Sequence, residues 1–458
     1  MKQGRFKPYP AYKDSGVEWL GEIPAHWKVR RLKTIAAVQL SNVDKKSVDG
    51  QESVRLCNYV DVYYNDRIGP DLDFMAATAT LEQVRRFSLR ADDVLITKDS
   101  ESWTDIAVPA VVTSDLPDVL CGYHLALVRP ASDCDGAFLG RAFSAIGPRD
   151  QFQVAANGIT RFGLGGDAIR TSLFATPPAQ EQRAIAAFLD RETARIDALV
   201  AKKERLIALL QEQRTALITR AVTKGLDPTV PMKDSCVEWL GKIPAHWEVK
   251  ALSRTLLRIT YGFTNPMPVA DVGPYMLTAL DIGDGEIFYG SARRTSEEAF
   301  ERLLTDKSRP MAGDLLVTKD GTLGRVAVAG GERTCINQSV ALLRLDPAVE
   351  VGFMQHALRA APYQERMTFE AGGTAIKHIY ISRLARMLIA LPAKEEQRAI
   401  AAFLDQEAAR IDALVGKVRD AIVRLKELRT ALVSAAVTGK IDVRAASAEA
   451  SVGLGGAA

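Results

Sequence analysis

Two blocks of sequence occur twice in this chain, and this repetition restricts the possible folds more than any other feature. Residues 13–27 return as residues 233–247 with two substitutions, and residues 181–190 recur unchanged as residues 396–405. The first block is displaced by 220 residues and the second by 215, so the segment between them is five residues shorter in the second copy. Repeated sequence units fold alike. We therefore expect one frame, present twice, that carries two different inserts.

Composition restricts the environment of the chain but not its partners. The 458 residues are 47% hydrophobic and 25% charged, as in ordinary globular domains. Five cysteines are scattered without a Cys-x-x-Cys pair, which favours a reducing compartment. No apolar leader and no run of 18 apolar residues is found, so we expect a cytoplasmic protein without a membrane partner. A net charge of +3 neither indicates nor excludes nucleic-acid binding.

Two long helical patterns follow the inserts. Apolar residues recur at helical and heptad spacing, at Ile185, Leu189, Ile196, Leu199, Leu206, Leu210 and Leu217, and again at Ile400, Leu404, Ile411, Leu414, Val418, Leu425, Leu428 and Leu432. This spacing predicts coiled-coil helices within residues 177–226 and 392–442, each the partner of the other in an antiparallel pair. Two independent helices, each packed on its own domain, are the alternative. Residues 443–458, rich in Ala, Ser and Gly, predict a disordered tail.

Both inserts are predicted to be mixed and rich in strands. Strand-like runs occupy residues 93–97, 125–129, 314–318, 325–328 and 339–345. Val-Leu-Ile-Thr-Lys-Asp in the first insert matches Leu-Leu-Val-Thr-Lys-Asp in the second. The expected fold class is α+β: two mixed α/β domains joined by two long antiparallel coiled-coil helices, with a pseudo-twofold internal repeat.

The sequence motifs of three enzyme classes are missing. An Asn/Asp-Pro-Pro-aromatic loop and a Phe-x-Gly-x-Gly loop, which an aminomethyltransferase needs, are absent. Glu248-Val-Lys250 lacks the upstream Pro-Asp of a metal-dependent nuclease, and no Gly-x-x-x-x-Gly-Lys-Ser/Thr loop is present. The five histidines have no metal-ligand spacing. We expect no catalytic residue, metal site or cofactor.

Polar loops that follow the predicted strands are the candidate binding residues. Those of the first insert are Lys98, Ser100, Trp103, Tyr123, His124, Thr160 and Arg161, and those of the second are Lys319, Thr322, Arg325, Asn337, Gln338, Thr374 and Lys377. Cations, hydroxyls and amides beside glycines suit phosphates and base edges. The alternatives are a plain hairpin with solvated charges at 319–325, a core position for Trp103, and satisfied turn residues elsewhere. The repeated tryptophans of the frame are expected to be structural.

The repeated motifs carry a family resemblance that covers all of the chain except the tail. Val-Glu-Trp-Leu-Gly-x-Ile-Pro-x-His-Trp, a variable domain and Pro-x-x-x-Glu-Gln-Arg-Ala-Ile-Ala-x-Phe-Leu-Asp, all present twice, resemble the specificity subunit of type I restriction-modification systems. The resemblance implies target recognition domains at residues 1–176 and 227–391 and conserved spacer helices at residues 177–226 and 392–442. Insert one departs from the usual pattern, with Ser100 and Ser102 where the second insert has Gly321 and Gly324.

The resemblance also implies partners. Each recognition domain would read one half of a split site in double-stranded DNA, and the helices would set the spacer and dock two modification (methyltransferase) subunits. Restriction (endonuclease and translocase) subunits would join through the complex, and catalysis would belong to the partners. A reader module of a fused methyltransferase or nuclease, and a purely structural coiled-coil scaffold, are the competing functions.

Overall fold

The computed structural model describes residues 7–373 and 377–444. The chain forms two compact units, one made of residues 1–203 and 420–458 and the other of residues 204–419. All but two residues of the expected tail lie outside the described ranges. Val443 is buried in the core of the first unit, and Arg444 donates two hydrogen bonds to the Asp442 carboxylate.

Fifteen strands and five helices precede the first long helix in the described part of the chain. They are β1 (Tyr12–Asp14), β2 (Glu22–Pro24), β3 (Lys28–Arg31), β4 (Ala36–Leu40), β5 (Glu52–Cys57), α1 (Tyr59–Tyr64), β6 (Arg67–Ile68), β7 (Met75–Ala79), α2 (Leu81–Phe87), β8 (Ser88–Leu89), β9 (Val94–Thr97), β10 (Asp99–Ser100), β11 (Pro109–Val112), β12 (Leu116–Cys121), β13 (Leu125–Pro130), α3 (Gly136–Ser144), α4 (Pro148–Ala155), β14 (Phe162–Gly163), α5 (Gly166–Thr171), β15 (Leu173–Thr176) and then α6 (Ala179–Lys224). A five-stranded sheet has the order β4-β13-β9-β11-β6, and a four-stranded sheet the order β7-β5-β12-β8.

The second unit repeats this plan with fewer strands. Its elements are β16 (Met232–Asp234), β17 (Lys242–Pro244), β18 (Glu248–Ala251), β19 (Leu256–Tyr261), β20 (Ala270–Leu277), β21 (Arg293–Arg294), α7 (Glu297–Leu303), β22 (Leu315–Thr318), β23 (Val326–Val328), β24 (Thr334–Ile336), β25 (Val340–Leu345), α8 (Val351–Arg359), α9 (Ala361–Glu370), α10 (Ile381–Arg386), β26 (Leu388–Leu391) and α11 (Lys394–Val437). The order β19-β25-β22-β23 matches β4-β13-β9-β11, while β21-β20-β24 forms a separate small sheet.

Each main sheet separates two hydrophobic cores. Side chains alternate across a strand, so Val94 and Ile96 face the core that includes the frame, whereas Leu95 faces the core beneath the four-stranded sheet. Leu315 and Leu316 divide in the same way in the second unit. The frame therefore covers one face of each insert.

The two long helices share cores within each unit. In the first unit, Ile185 and Leu189 near the start of α6 lie in one core with Leu432 and Ala436 near the end of α11, so these portions run antiparallel. In the second unit, Ile218 near the end of α6 shares a core with Leu404 near the start of α11. The alternative of two independent helices is therefore not what the structure shows. Within residues 7–373 and 377–444, no helix has the length and apolar character of a membrane span.

The two repeated sequence blocks contact each other in the same way in both units. The buried Trp27 donates its indole N–H to Glu181 Oε1 at 3.1 Å, and His26 Nε2 lies 2.8 Å from Glu181 Oε2. Trp247 and His246 contact the two oxygens of Glu396 at the same two distances. We call each set of contacts a Trp-His-Glu clamp. It explains why the two blocks recur together although a variable insert separates them.

The end of the other long helix closes each clamp. Gly439, just beyond α11, has φ +74°, and a Cβ there would lie 2.3 Å from Pro24 Cδ and 3.3 Å from the Trp27 ring. Gly225, just beyond α6, has φ +73° and lies against Trp247. Glycine is needed at both helix ends because the backbone is left-handed there. At Gly439 the Pro24 ring also leaves no room for a side chain.

The last residue of the repeated block contacts a different basic side chain in each unit, which leads to a pH prediction. Asp190 accepts from Arg141 at 3.0 Å, whereas Asp405 lies 2.8 Å from His356 Nε2. Burial lowers the pKa of His356, and Arg359 and Arg214 add to this effect, while the Asp405 carboxylate opposes it. His356 Nδ1 is buried and has no partner among the described atoms.

Because the pKa of His356 is lower in the folded than in the unfolded chain, the unfolded state binds the proton first as the pH falls. The contribution of His356 to the free energy of unfolding should be fully present above the unfolded pKa of about 6.5. It should decline as the pH falls below that value toward the folded pKa. Urea unfolding at pH 7.5 and 5.5 measures this loss. His356→Gln retains a donor for Asp405 and should show a smaller difference between the two pH values. An equal difference in both proteins would contradict the assignment.

Candidate nucleic-acid interface

Equivalent strands are followed by the same dipeptide in the two units. β9 leads into Lys98 and Asp99, and β22 leads into Lys319 and Asp320. The backbone N–H of Lys98 donates to His124 O at 3.0 Å, and that of Lys319 donates to Ser339 O at 2.9 Å. The loop before β13, or before β25, is thereby held beside the dipeptide.

Both lysines are directed into the protein. Lys98 is 9% exposed, its Nζ lies 2.7 Å from Asp99 Oδ2, and it lies over the Tyr123 ring at 4.7 Å. Lys319 is 6% exposed, with Nζ 3.1 Å from Asp320 Oδ2. A buried and paired ammonium is poorly placed to meet a phosphate. These two lysines therefore fix the loops instead of presenting a free charge.

The aspartate beside each lysine links it to a loop distant in sequence. Asp99 Oδ2 lies 3.1 Å from His124 Nδ1, and Arg161 Nη2 lies 3.2 Å from His124 Nε2. Arg161 Nη2 also lies 3.3 Å from His124 Nδ1, so the guanidinium contacts both ring nitrogens. In the second unit Asp320 contacts His378 Nδ1, and Ile379 N donates to Lys319 O at 3.0 Å. We call each arrangement a Lys-Asp-His lock, and its histidine comes from the loop before β13 in the first unit and from the loop between α9 and α10 in the second.

The turn after the lock differs between the units. In the second unit, Gly321 and Gly324 have φ +72° and +83°, and the Thr318 hydroxyl donates to Thr322 O while accepting from Arg325 N at 2.9 Å. A hairpin is present at 319–325, since β22 and β23 are antiparallel neighbours, but the alternative of solvated charges does not hold for the buried Lys319. This tight turn leaves the Thr322 side chain exposed.

Hydroxyl groups replace the glycines in the first unit. Ser100 is buried, its Oγ lies 3.3 Å from Tyr59 Oη, and it accepts from Ser102 N at 3.2 Å. Trp103 begins a short 3₁₀ turn and is 50% exposed, so the alternative of a core position is wrong. Insert one therefore presents an aromatic side chain where insert two presents a glycine turn.

The candidate residues fall into three groups. The exposed candidates are Trp103, Tyr123, Thr160, Arg161, Thr322, Gln338 and Lys377. The partly buried candidates are His124, Arg325 and Asn337, and the buried ones are Lys98, Ser100 and Lys319. Thr374 lies outside the described residues. Arg325 Nη1 donates to Ile282 O at 3.3 Å, and Asn337 Oδ1 accepts from Ser339 N at 3.0 Å, so part of their hydrogen-bonding capacity is used within the protein.

Three residues of the lock were not among the sequence candidates. Asp99 and Asp320 carried a usable signal, because Thr-Lys-Asp ends the one strand pattern that the inserts share. His378 gave none, since it meets Asp320 only through the fold. Within the described residues, no group of three or more His, Cys, Asp or Glu side chains could hold a metal ion.

Comparison with known proteins identifies a matching family model and similar proteins. The family model of the type I restriction modification DNA specificity domain matches residues 270–422. The type I restriction enzyme EcoBI specificity subunit of Escherichia coli is 26% identical over 291 residues, which is 61% of this chain. That alignment also covers 61% of the relative, less than two thirds of its length.

Two solved structures share the fold. One, from a study of complex assembly and conformational transition of the type I R-M system, has a TM-score of 0.71 at 18% identity and covers 91% of this chain and 98% of its own. The other, the HsdS subunit from Thermoanaerobacter tengcongensis, has a TM-score of 0.56 at 18% identity and covers 92% and 98%. The expected fold class, mixed domains joined by two long antiparallel helices with an internal repeat, is confirmed. In its duplicated frame, its matched domain and its fold, the chain is similar to the DNA specificity subunits of type I restriction-modification systems.

Proposed function

We propose that each unit reads one half of a bipartite sequence in double-stranded DNA. The observation that carries this proposal is the Lys-Asp-His lock, which is built at the same strand ends in both units but holds different exposed side chains. One scaffold with two reading surfaces suits a site whose halves differ in sequence. Specificity subunits of type I systems are non-catalytic, so recognition is the contribution of this chain.

Two arginines and one tryptophan suggest how the two halves are read. Arg161 is exposed and meets the lock through His124, so its guanidinium is positioned yet open to DNA. Arg325 lies at the end of the glycine turn. Arginine contacts guanine through two hydrogen bonds or a phosphate through its charge. Trp103 offers a ring for apolar contact in the first unit only.

The frame suits assembly with other subunits. The recognition domains would comprise residues 1–176 and 227–391, and the spacer helices residues 177–226 and 392–442. Because the frame is present twice, we propose that it docks two modification subunits and that restriction subunits join through them. The assembled complex would methylate adenine at the site and cleave DNA with ATP hydrolysis, in the cytoplasm. Light scattering that stays at one modification subunit per chain under saturating partner would contradict this stoichiometry.

The competing functions make different predictions for the purified chain. A reader fused to its own methyltransferase or nuclease would modify or cleave DNA without partners. A structural scaffold would show no sequence preference even in the assembled complex. A scaffold does not account for two loop clusters with unlike exposed side chains, and this sequence lacks the catalytic motifs that a fused enzyme would need.

The test is binding of the reconstituted complex to DNA with one or both half-sites intact, after methylome sequencing has identified the site. Arg161→Ala should weaken binding through one half-site and Arg325→Ala through the other, each by about 1–3 kcal/mol if the arginine contacts a guanine through two hydrogen bonds. Losses in the double variant should be nearly additive, because the two half-sites are separate.

Exposed arginines on helices outside the loops serve as controls. Arg85→Ala in the first unit and Arg302→Ala in the second should leave both half-sites unaffected. If Arg325→Ala changed the preference at the half-site assigned to Arg161, the division between the units would be wrong.

A further inference from the structure

A cleft in the second unit is lined mainly by arginines. Its volume is about 480 Å³, and its lining residues are Trp239, Arg366, Glu370, Arg383, Arg386, Met387 and Leu388. Three guanidinium groups thus face one carboxylate across a cavity large enough for a phosphate group.

The charges in the cleft are only partly balanced. Arg366 pairs with Glu370, which leaves the charges of Arg383 and Arg386, two in excess. Arg383 Nη1 donates to Glu370 O at 2.7 Å, and Arg386 Nε donates to Ser382 O at 3.1 Å. Each guanidinium has five N–H donors, and both side chains are exposed. Held in place by one carbonyl each, they retain donors for an anion.

The first unit has the equivalent helices without these charges. Its helices α4 and α5 correspond to α9 and α10, and the residues at the four equivalent positions are Gln151, Ala155, Ala168 and Thr171. Trp19 stands where the second unit has Trp239. Since the first unit folds without the arginines, the fold of the frame does not require them.

The position of the cleft connects it with the proposed interface. α9 ends at Glu370 and α10 begins at Ile381, so these two helices bound the loop that carries Lys377 and His378. The bond from Arg383 to Glu370 O closes the base of that loop. The cleft therefore lies at the base of the loop that carries Lys377, so a duplex bound at that loop would have a cationic cleft beside it.

We propose that this cleft binds a backbone phosphate of duplex DNA next to the second half-site. The inference rests on the proposed function, and it adds an interaction that carries no base information. The first half-site has no equivalent interaction, so the two halves should differ in their dependence on salt.

The test uses the complex of the full chain with its modification subunits. Binding to duplex DNA with the bipartite site is measured by fluorescence anisotropy between about 50 and 300 mM salt, a range that includes physiological ionic strength. Arg383→Gln and Arg386→Gln should each weaken binding, and the double variant should flatten the plot of log affinity against log salt by about 0.9 for each phosphate that the variant no longer neutralises. Base preference at both half-sites should be unchanged.

Two further variants complete the design. Arg302→Gln removes an exposed charge elsewhere in the second unit and should leave the slope unchanged. Ala168→Arg/Thr171→Arg places two arginines at the equivalent positions of the first unit and should steepen it. Thermal unfolding verifies that each variant is folded.

Each other result has a definite meaning. An unchanged slope in the folded double variant, or a changed base preference, would overturn the proposed phosphate site. So would loss of modification-subunit binding in the absence of DNA, because the anion would then be a protein carboxylate. Failure of the wild-type complex to prefer the bipartite site would refute the proposed function itself.

Discussion

Trp27→Ala is expected to destabilise the first unit by about 3–5 kcal/mol, and Trp247→Ala the second by a similar amount, because each removes a fully buried aromatic side chain. Both rings are 0% exposed. The substitution also removes the indole donor of Glu181 or Glu396 and empties the surface against which Gly439 or Gly225 packs. Because each tryptophan lies in one core with residues of the insert, α6 and α11, its removal should loosen all three elements of that unit.

The measurement must separate the two units. Hydrogen exchange followed by mass spectrometry should show faster exchange in peptides of residues 7–203 and 420–444 for Trp27→Ala, and in residues 204–373 and 377–419 for Trp247→Ala. Trp27→Phe retains an aromatic ring but lacks the N–H and part of the indole, so it should cost less than Trp27→Ala, through the lost hydrogen bond to Glu181 and a smaller cavity. Trp19→Ala is the matched control, since Trp19 lies in the same repeated block and is 39% exposed. A loss at Trp19 as large as that at Trp27 would show that the clamp has no special role.

The frame could be predicted from the sequence because its two copies form the same contacts. Trp27 and Trp247 meet Glu181 and Glu396 in the same geometry, so the repeated letters are those whose side chains touch. Heptad spacing indicated both long helices, since apolar residues at this spacing over more than 40 residues are typical of helices that pack against each other. Their ends at Lys224 and Val437 lie inside the expected limits of residues 226 and 442.

The site was less predictable because it is assembled by tertiary contacts. Lys319 in a glycine-bearing loop suggested an exposed phosphate ligand, yet the fold turns it inward onto Asp320. Trp103 shows the opposite outcome: a core position was one alternative, yet the side chain is exposed at the start of a short 3₁₀ turn. Sequence indicates which residue types a loop contains, but the direction of each side chain depends on partners such as His378 that are distant in sequence.

Lengthening the two helices together is expected to lengthen the unspecified gap between the half-sites without changing the bases at either end. Asp197 on α6 pairs with Arg429 on α11, and these portions run antiparallel, so Lys203 lies opposite Val423. Inserting one heptad after Lys203 and another before Val423 keeps the apolar seam in register, because seven residues make about two turns. An insertion in α6 alone would leave its seam unmatched and serves as the control.

The size of the change follows from helix geometry. One heptad adds about 10 Å along the helix axis, which equals about three base pairs of B-DNA. A heptad rotates the end of the helix by only about 20°, whereas three added base pairs rotate one half-site relative to the other by about 100°. Because the added helix does not match that rotation, we expect the gap to grow by about one to three base pairs. Methylome sequencing of cells that carry the doubly extended chain measures both the gap and the bases. New bases with an unchanged gap would show that the helices do not set the distance, and specificity would then have to depend on how the locked loops are presented.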